Sequence, residues 1–84
     1  MGMAMALYRV YPEEPGQEIQ IAEELKNIDK VKAIEFEDLA FGLRAIKVGA
    51  VFDDKNDNPE ETEERIRNIP HVKNLESLGV SLIS

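Results

Sequence analysis

The sequence contains no cysteine and only one histidine in 84 residues. Without cysteine there is no disulfide framework, no thiol nucleophile and no cysteine-based zinc site, and the composition is compatible with a cytoplasmic protein. The one histidine, His71, follows Pro70 and has no serine or cysteine beside it in sequence. A general base needs a positioned partner. We therefore expect His71 to be a surface turn residue, and we expect no enzymatic bond chemistry.

Basic residues are also scarce. Ten lysines and arginines stand against seventeen aspartates and glutamates, which gives a net charge of −7. Such a surface repels phosphate backbones and anionic lipid. We therefore expect neither a direct nucleic-acid partner nor a membrane partner. A glycine-rich phosphate loop is missing as well, so we expect no bound nucleotide and no cofactor.

The acidic run Asp53–Asp57, followed by Glu60, invites comparison with a calcium-binding loop. It lacks the glycine at the sixth position and the final glutamate that an EF-hand loop requires. A charge run of this kind is usually a solvated loop. We predict no metal site here, although the sequence does not decide whether the loop holds a cation.

What is present is ordinary for a folded protein: 43% of the residues are hydrophobic and 32% are charged. A chain this short buries only about 60–65% of its unfolded surface, so its core must be thin. We expect a single domain over residues 1–84.

Hydrophobic periodicity predicts six elements in the order β-α-β-β-α-β. The predicted strands are Ala4–Tyr11, Val31–Glu37, Leu43–Phe52 and Val72–Ile83, with helices beginning near Gln17 and at Pro59. Gly79 interrupts the last strand and predicts a bulge or bend there. The first helix places Ile21, Leu25 and Ile28 on one side, over about three turns, and the glutamates Glu18, Glu23 and Glu24 on the solvent side. The second has Asn58 as its N-cap and Pro59 as its first residue, with Thr62, Ile66 and Ile69 facing inward.

This order predicts an α+β fold, the ferredoxin-like βαββαβ plait. Its four-stranded antiparallel sheet carries both helices on one face. Ile46, Val48 and Phe52 of the third strand should then be buried beneath Leu25 and Ile66. The other sheet face is solvated or binds a partner, and its predicted members are Leu7, Arg9, Ala45, Lys47 and Val51.

The chain is organised around Glu37–Val48, where a charged turn leads through Phe41-Gly42 into the longest apolar strand. Gly42 has no Cβ and can adopt positive φ. Phe41 stands where a loop meets a strand, so its ring either caps the core or is displayed to solvent. A lone phenylalanine is usually a core residue, and residue type alone leaves both interpretations open.

Two segments resemble archaeal elongation factor 1-beta, a family that is similar to the C-terminal exchange domain of its eukaryotic counterpart. Leu39–Leu43 followed by Ala45–Val48 is similar to the central signature of the family. Arg9–Pro15 is similar to its first strand, which ends in a Val-Met-Pro-Glu-Ser-Pro type of run. Length and element order agree, so the resemblance covers nearly the whole chain.

The resemblance implies a guanine-nucleotide exchange factor that promotes GDP release from elongation factor 1-alpha, the GTPase that carries aminoacyl-tRNA. In the family, the phenylalanine matched by Phe41 packs into that partner. The candidate partner-binding residues are Leu39, Ala40, Phe41, Gly42, Arg44 and Lys47. Arg44 and Lys47 would form a docking edge beside an exposed ring. We expect a monomer or a weak homodimer.

The sequence departs from the family near its C-terminus. The resemblance implies a basic residue there that reaches the magnesium and phosphate region of the GTPase, but Leu82 stands at that position. Two alternatives to an efficient exchange factor therefore stay open. One is a diverged protein that binds elongation factor 1-alpha, or another partner, without efficient exchange. The other is an unrelated ferredoxin-like binding module that self-associates through its open sheet face.

Overall fold

The structure is a computed structural model that describes residues 2–53 and 55–82. Its strands are Met3–Pro12 (β1), Val31–Asp38 (β2), Arg44–Asp53 (β3) and Val72–Leu82 (β4), and its helices are Glu18–Leu25 (α1) and Pro59–Arg67 (α2). The predicted element order is confirmed. No described strand end lies more than one residue from its predicted position. The predicted last residue of the fourth strand, Ile83, lies outside the described residues.

The four strands form one antiparallel sheet in the order β2-β3-β1-β4. The long strand β3 pairs with its hairpin neighbour β2 on one side and with β1 on the other. The C-terminal strand β4 pairs with the other edge of β1. This topology confirms the ferredoxin-like plait, because only the β-α-β crossings place the first and third strands together at the centre.

Alternation along the two central strands builds the core. Every second residue of β1 is buried, and the even-numbered positions of β3 from Ile46 to Phe52 are buried with them. These side chains pack in one cluster with Ile21 and Leu25 of α1 and with Ile66 of α2. Both helices therefore cover the same face of the sheet, as predicted, and we call the other face the open face.

Helix α1 is shorter than its apolar period suggests. It ends at Leu25, after two turns, where the Asn27 and Ile28 N–H groups bond the carbonyls of Glu24 and Leu25 at 3.1 and 3.0 Å. These tighter i→i+3 bonds replace a third α-helical turn. Ile28 is nonetheless buried, as predicted, because the tightened turn still directs it into the core.

Helix α2 begins as its sequence predicts. The Asn58 side chain accepts a hydrogen bond from the Glu60 N–H at 3.0 Å, and Pro59 is the first helical residue. Acidic residues in the first turn and arginines in the last complement the helix dipole. Thr62, Ile66 and Ile69 are buried, also as predicted. In residues 2–53 and 55–82, no helix is both long and apolar enough to cross a membrane.

The pairing of edge strand β2 has one irregularity, and that of edge strand β4 has two, the second opposite Tyr11 and Pro12. In β2 the register shifts between Val31 and Ala33, so Ile34 and Phe36 lie on the helix side while Ala33 lies on the open face. In β4 the register shifts opposite Leu7 and Tyr8, and Gly79 beside it has φ of 136°. This is the bulge predicted from that glycine.

Candidate functional site

A tight turn joins β2 to β3 at one end of the sheet; we call residues Leu39–Leu43 the Phe41 tip. The Leu43 N–H donates to the Ala40 carbonyl at 3.2 Å, and the Leu39 N–H donates to the Leu43 carbonyl at 2.8 Å. Both central residues have positive φ, 61° at Phe41 and 76° at Gly42. Positive φ at both positions is typical of type I′ hairpin turns, which favour Asn-Gly. The sequence indicated this conformation for Gly42 and not for Phe41.

The Phe41 side chain is 100% exposed. Of the two interpretations that the sequence left open, the structure supports the displayed ring and not the core cap. Left-handed backbone also costs a non-glycine residue about 1–2 kcal/mol. Neither the exposed ring nor this backbone conformation stabilises the fold. Strained backbone of this kind is concentrated at functional sites in proteins.

The two basic residues near the tip lie on opposite faces of the sheet. Arg44 lies on the helix side with Ile46, two residues on, whereas Lys47 pairs with Arg9 and Glu35 across the open face. Successive strand residues alternate between faces, so positions three apart always separate in this way. The structure does not bring Arg44 and Lys47 together in one docking edge.

Glu18 occupies an environment that the sequence did not predict. We expected it on the solvent side of the first helix, but its side chain is only 5% exposed and lies 3.0 Å from the Arg44 guanidinium. Burial alone raises the pKa of this carboxyl. Hydrogen bonds from its own N–H, from Arg44 and from the Gly16 N–H outweigh burial and lower the pKa below the ordinary value of 4.5. Glu18 is therefore a buried, paired carboxylate at neutral pH.

A polar network crosses the open face next to the tip. Arg9 donates to Glu37 on the β2 side at 2.8 Å and to Glu76 on the β4 side at 2.9 Å. The Tyr11 hydroxyl also donates to Glu76, at 3.0 Å. Hydrogen bonds to Glu37, Tyr11 and Glu76 raise the pKa of Arg9 above its ordinary value. The network links both edge strands to β1 and leaves the ring of Phe41 outside it.

Comparison with known proteins identifies the family. The family model of the EF-1 guanine nucleotide exchange domain matches residues 5–83. The chain belongs to this family. It is 31% identical to elongation factor 1-beta of Methanoregula boonei over 98% of this chain and 99% of the relative, and 33% identical to elongation factor 1-beta of Methanococcus aeolicus over 99% and 100%. The family resemblance is confirmed, and membership supports a nucleotide-exchange role in translation elongation.

A solved protein, the crystal structure of PH0061, resembles this fold. It has a TM-score of 0.60 and 23% sequence identity, and the match covers 99% of this chain and 53% of that chain. The present chain thus spans about half of the solved one. At this identity the likeness supports the fold and nothing further.

The family's C-terminal position lies far from the Phe41 tip. Leu82 pairs with Ala4 at the start of β1. The tip follows Asp38, the last residue of β2, and lies at the other end of the sheet, where β1 ends. Eleven residues of β4 separate the two ends by roughly 35 Å. Leu82 is 73% exposed and borders a shallow apolar depression of about 250 Å³, together with Phe52, Pro59 and Val80. An exchange domain with this geometry presents an apolar side chain where the family resemblance implies a cation.

Two carboxylates of the acidic loop, those of Asp53 and Asp57, accept internal hydrogen bonds, and Asp54 lies outside the described residues. The Lys30 ammonium and the Asp53 N–H donate to the Asp57 carboxylate at 2.8 and 2.7 Å. The hydrogen bond from Lys30 lowers the pKa of Asp57, and hydrogen bonds from Lys55 and Asn56 lower that of Asp53. Across residues 2–53 and 55–82, no group of three or more potential ligands is placed to hold a metal ion. The side-chain oxygens of Asp53 and Asp57 thus close the turn into α2.

His71 is an exposed turn residue, as predicted, with φ of 75° and its Nδ1 3.2 Å from the Gln17 amide.

Sequence reasoning missed one further contact, which is partly buried. The Tyr8 hydroxyl donates to Glu63 of α2 at 2.8 Å, and burial together with this bond raises the pKa of Tyr8. One signal in the sequence could have indicated this contact. Tyr8 is a tyrosine at an inward-facing strand position, and a buried hydroxyl needs a hydrogen-bond partner.

Proposed function

We propose that this protein is a cytoplasmic exchange factor that accelerates GDP release from elongation factor 1-alpha, and that the Phe41 tip anchors it to that GTPase. The whole chain acts as one exchange domain, and no covalent bond is made or broken. The observation that carries the proposal is the ring of Phe41, which is fully exposed on a turn with positive φ inside the family's matched region.

An exchange factor of this kind acts through linkage. Binding of the exchange factor and binding of the nucleotide are mutually antagonistic, so each lowers the affinity of the GTPase for the other by the same ratio. Any contact made only with the nucleotide-free GTPase therefore favours nucleotide departure. An aromatic ring suits this task because it offers a large apolar area with only two side-chain torsions to order.

The turn conformation supports a docking role for the ring. Because Phe41 and Gly42 both have positive φ and two backbone hydrogen bonds close the turn, the ring is held at the end of a short hairpin. The proposed contact surface is Leu39, Ala40, Phe41 and Gly42, with Arg44 behind it on the helix side and Lys47 on the open face. A pre-ordered turn loses less entropy on binding than a mobile loop.

Release of a fluorescent GDP analogue from elongation factor 1-alpha tests the proposal. We expect wild-type protein to accelerate release and Phe41→Ala to weaken binding by ~2 kcal/mol or more, as for an interface anchor. A buried phenylalanine would instead lose ~3–5 kcal/mol of folding stability on the same change. Urea unfolding of Phe41→Ala should therefore stay close to wild type.

Ile19→Ala is the matched control, because Ile19 is another exposed apolar residue, at 49%, but lies on α1 outside the proposed surface. It should leave release and binding unchanged. Equal release rates with wild type and Phe41→Ala, at saturating and subsaturating concentrations, would count against the anchor.

A second candidate function has its own supporting observation. Leu82 is exposed and apolar at the position where the family resemblance implies a cation that competes with Mg²⁺ near the phosphates. A protein that binds the GTPase through Phe41 but releases GDP slowly fits that substitution. Tight binding of the wild-type protein to elongation factor 1-alpha with little acceleration of GDP release would favour this candidate over efficient exchange.

A further inference from the structure

Groups from three separate parts of the chain meet behind the Phe41 tip. Arg44, the first residue of β3, donates through Nε to the Glu18 carboxylate at 3.0 Å, and its second guanidinium nitrogen lies 3.0 Å from the same oxygen. The other Glu18 oxygen accepts from the Gly16 N–H at 2.8 Å. The Arg44 guanidinium carbon also lies 4.4 Å from the centre of the Phe36 ring on β2. We call Glu18 and Arg44 the Glu18 latch.

The latch is not the arrangement that stability alone would favour. The Glu18 carboxylate is 5% exposed, so it has given up most of its hydration. Desolvation often cancels the attraction in a buried ion pair, and apolar replacements of similar volume are often equally stable. A thin core gains little from such a pair. What the pair does supply is a defined orientation, since the planar guanidinium is held by the Glu18 carboxylate and stacks on the Phe36 ring.

The clamped residue adjoins the tip. Arg44 follows Leu43, whose N–H and C=O make the two hydrogen bonds that close the turn. Fixing the Arg44 side chain against α1 and against Phe36 therefore fixes the plane from which the turn projects. Phe36 belongs to β2 and Arg44 to β3, so both arms of the hairpin are held by the same contact.

We propose that the Glu18 latch is a positioning device that holds the hairpin at the angle at which Phe41 docks on its GTPase partner. This inference rests on the proposed function for its docking step. Glu18 and Arg44 are positioning residues here: they act through Phe41 and need not touch the partner.

The first experiment needs no partner and compares amide hydrogen exchange in the free protein. Glu18→Gln keeps the shape of the side chain and removes its charge. We expect the Leu39 and Leu43 amides to exchange roughly three- to tenfold faster, after correction for any change in global stability, because local opening becomes easier. The central β3 amides, Ile46–Ala50, should follow global stability alone.

Glu23→Gln is the matched control, because Glu23 is an exposed carboxylate on the same helix, paired with Lys26 at 3.0 Å. It should leave both sets of amides unchanged. If Glu18→Gln is too unstable to study, Arg44→Lys replaces it, since lysine keeps the charge but loses the planar fork and the stacking on Phe36. Absence of selective acceleration at Leu39 and Leu43 would overturn the latch.

The second experiment measures binding to elongation factor 1-alpha in a double-mutant cycle with Phe41→Ala. With Phe41 present, Glu18→Gln should weaken binding roughly three- to tenfold, the cost of ordering one or two freed side chains. In the Phe41→Ala background the same change should have little effect, because the latch then has no ring to aim. A merely structural role would weaken both backgrounds equally.

The two proposals fail in different ways. Weaker binding by Phe41→Ala but no effect of Glu18→Gln, or an equal effect in both backgrounds, overturns the latch and leaves the proposed anchor standing. Unchanged binding by Phe41→Ala overturns the anchor and with it the docking step of the latch. The hydrogen-exchange result would still decide whether the pair orients the hairpin.

Discussion

At the scale of single residues, Phe41 combines two features that usually do not occur together. A bulky residue rarely adopts positive φ, and a large aromatic side chain is rarely left fully exposed. Here φ is 61° and the exposed fraction is 100%. An asparagine at this position would give the Asn-Gly pair that type I′ turns favour. The sequence thus carries a residue that is worse for the turn than a common alternative.

Phe41→Asn should consequently stabilise the fold while it weakens partner binding. Asparagine tolerates left-handed backbone better than phenylalanine, so we expect the free energy of unfolding to rise by about 1 kcal/mol. Loss of the ring should still weaken binding by ~2 kcal/mol. Urea unfolding and titration against elongation factor 1-alpha measure the two effects.

Phe41→Ala is the informative comparison, because alanine removes the ring but keeps the backbone strain. It should match Phe41→Asn in binding and fall below it in stability. If Phe41→Asn and Phe41→Ala are equally stable, the positive φ stores no strain.

At the scale of elements, the β2–β3 hairpin and the first turn of α1 behave as one unit. Glu18 at the start of α1 bonds Arg44 at the start of β3, and Arg44 in turn covers Phe36 of β2. The Glu18 carboxylate is needed in its charged form for this contact, which makes the unit sensitive to acid.

We expect Glu18→Gln to have a lower free energy of unfolding than wild type at neutral pH, and we expect this difference to be smaller at acid pH. The folded pKa of Glu18 lies below the unfolded value of 4.5, so below 4.5 the unfolded chain binds the proton more readily than the native one. Its contribution is fully present above that value and is lost as the pH falls through the folded pKa. The difference in unfolding free energy between wild type and Glu18→Gln should therefore shrink as the pH falls below 4.5.

Urea unfolding at a series of pH values measures this difference. Glu23→Gln controls for the loss of one negative charge from the same helix. A difference between wild type and Glu18→Gln that stays constant from neutral to strongly acid pH would contradict the assignment of Glu18 as a paired, charged carboxylate.

At the scale of the whole molecule, the two positions singled out by family resemblance lie at opposite ends of the sheet. The Phe41 tip follows the end of β2, and Leu82 ends β4 beside the start of β1. A partner touched at both ends must span roughly 35 Å. Anchoring and any contact with the nucleotide region are therefore separable, and one can be changed without the other.

Leu82→Lys should accelerate GDP release with little change in binding. Leu82 is 73% exposed, so the substitution removes little core packing and should leave stability near wild type. A cation placed near the phosphates gains about 1 kcal/mol even when water-screened, which corresponds to a roughly fivefold faster release. Timed release of a fluorescent GDP analogue from elongation factor 1-alpha measures the effect.

Leu82→Gln is the matched control, since it adds a polar side chain of similar size without charge. Equal acceleration by lysine and glutamine would mean that removal of the apolar side chain matters and the cation does not. Fast release by wild type, unaltered by Leu82→Lys, would mean that docking through the Phe41 tip is sufficient for exchange.

The sequence by itself determined the order of elements, the buried faces of β1 and β3, the Asn58 cap and the glycine bulge in β4. Each follows from local rules: a period of two or 3.6 residues, one capping side chain, or the missing Cβ of Gly79. The family resemblance indicated the Phe41 tip, because the central signature of the family falls on the short stretch that contains Phe41.

Only the tertiary structure decided which residues meet across the fold. Glu18 and Arg44 are 26 positions apart, and helical periodicity placed Glu18 in solvent because it ignores a cation arriving from another strand. Arg44 and Lys47, by contrast, lie three positions apart in one strand, so their placement on opposite faces already follows from the local rule of strand alternation. The exposure of Phe41 and Leu82 depends on which ends of the sheet lie outside the area covered by the two helices. Periodicity within one segment carries no information about that coverage.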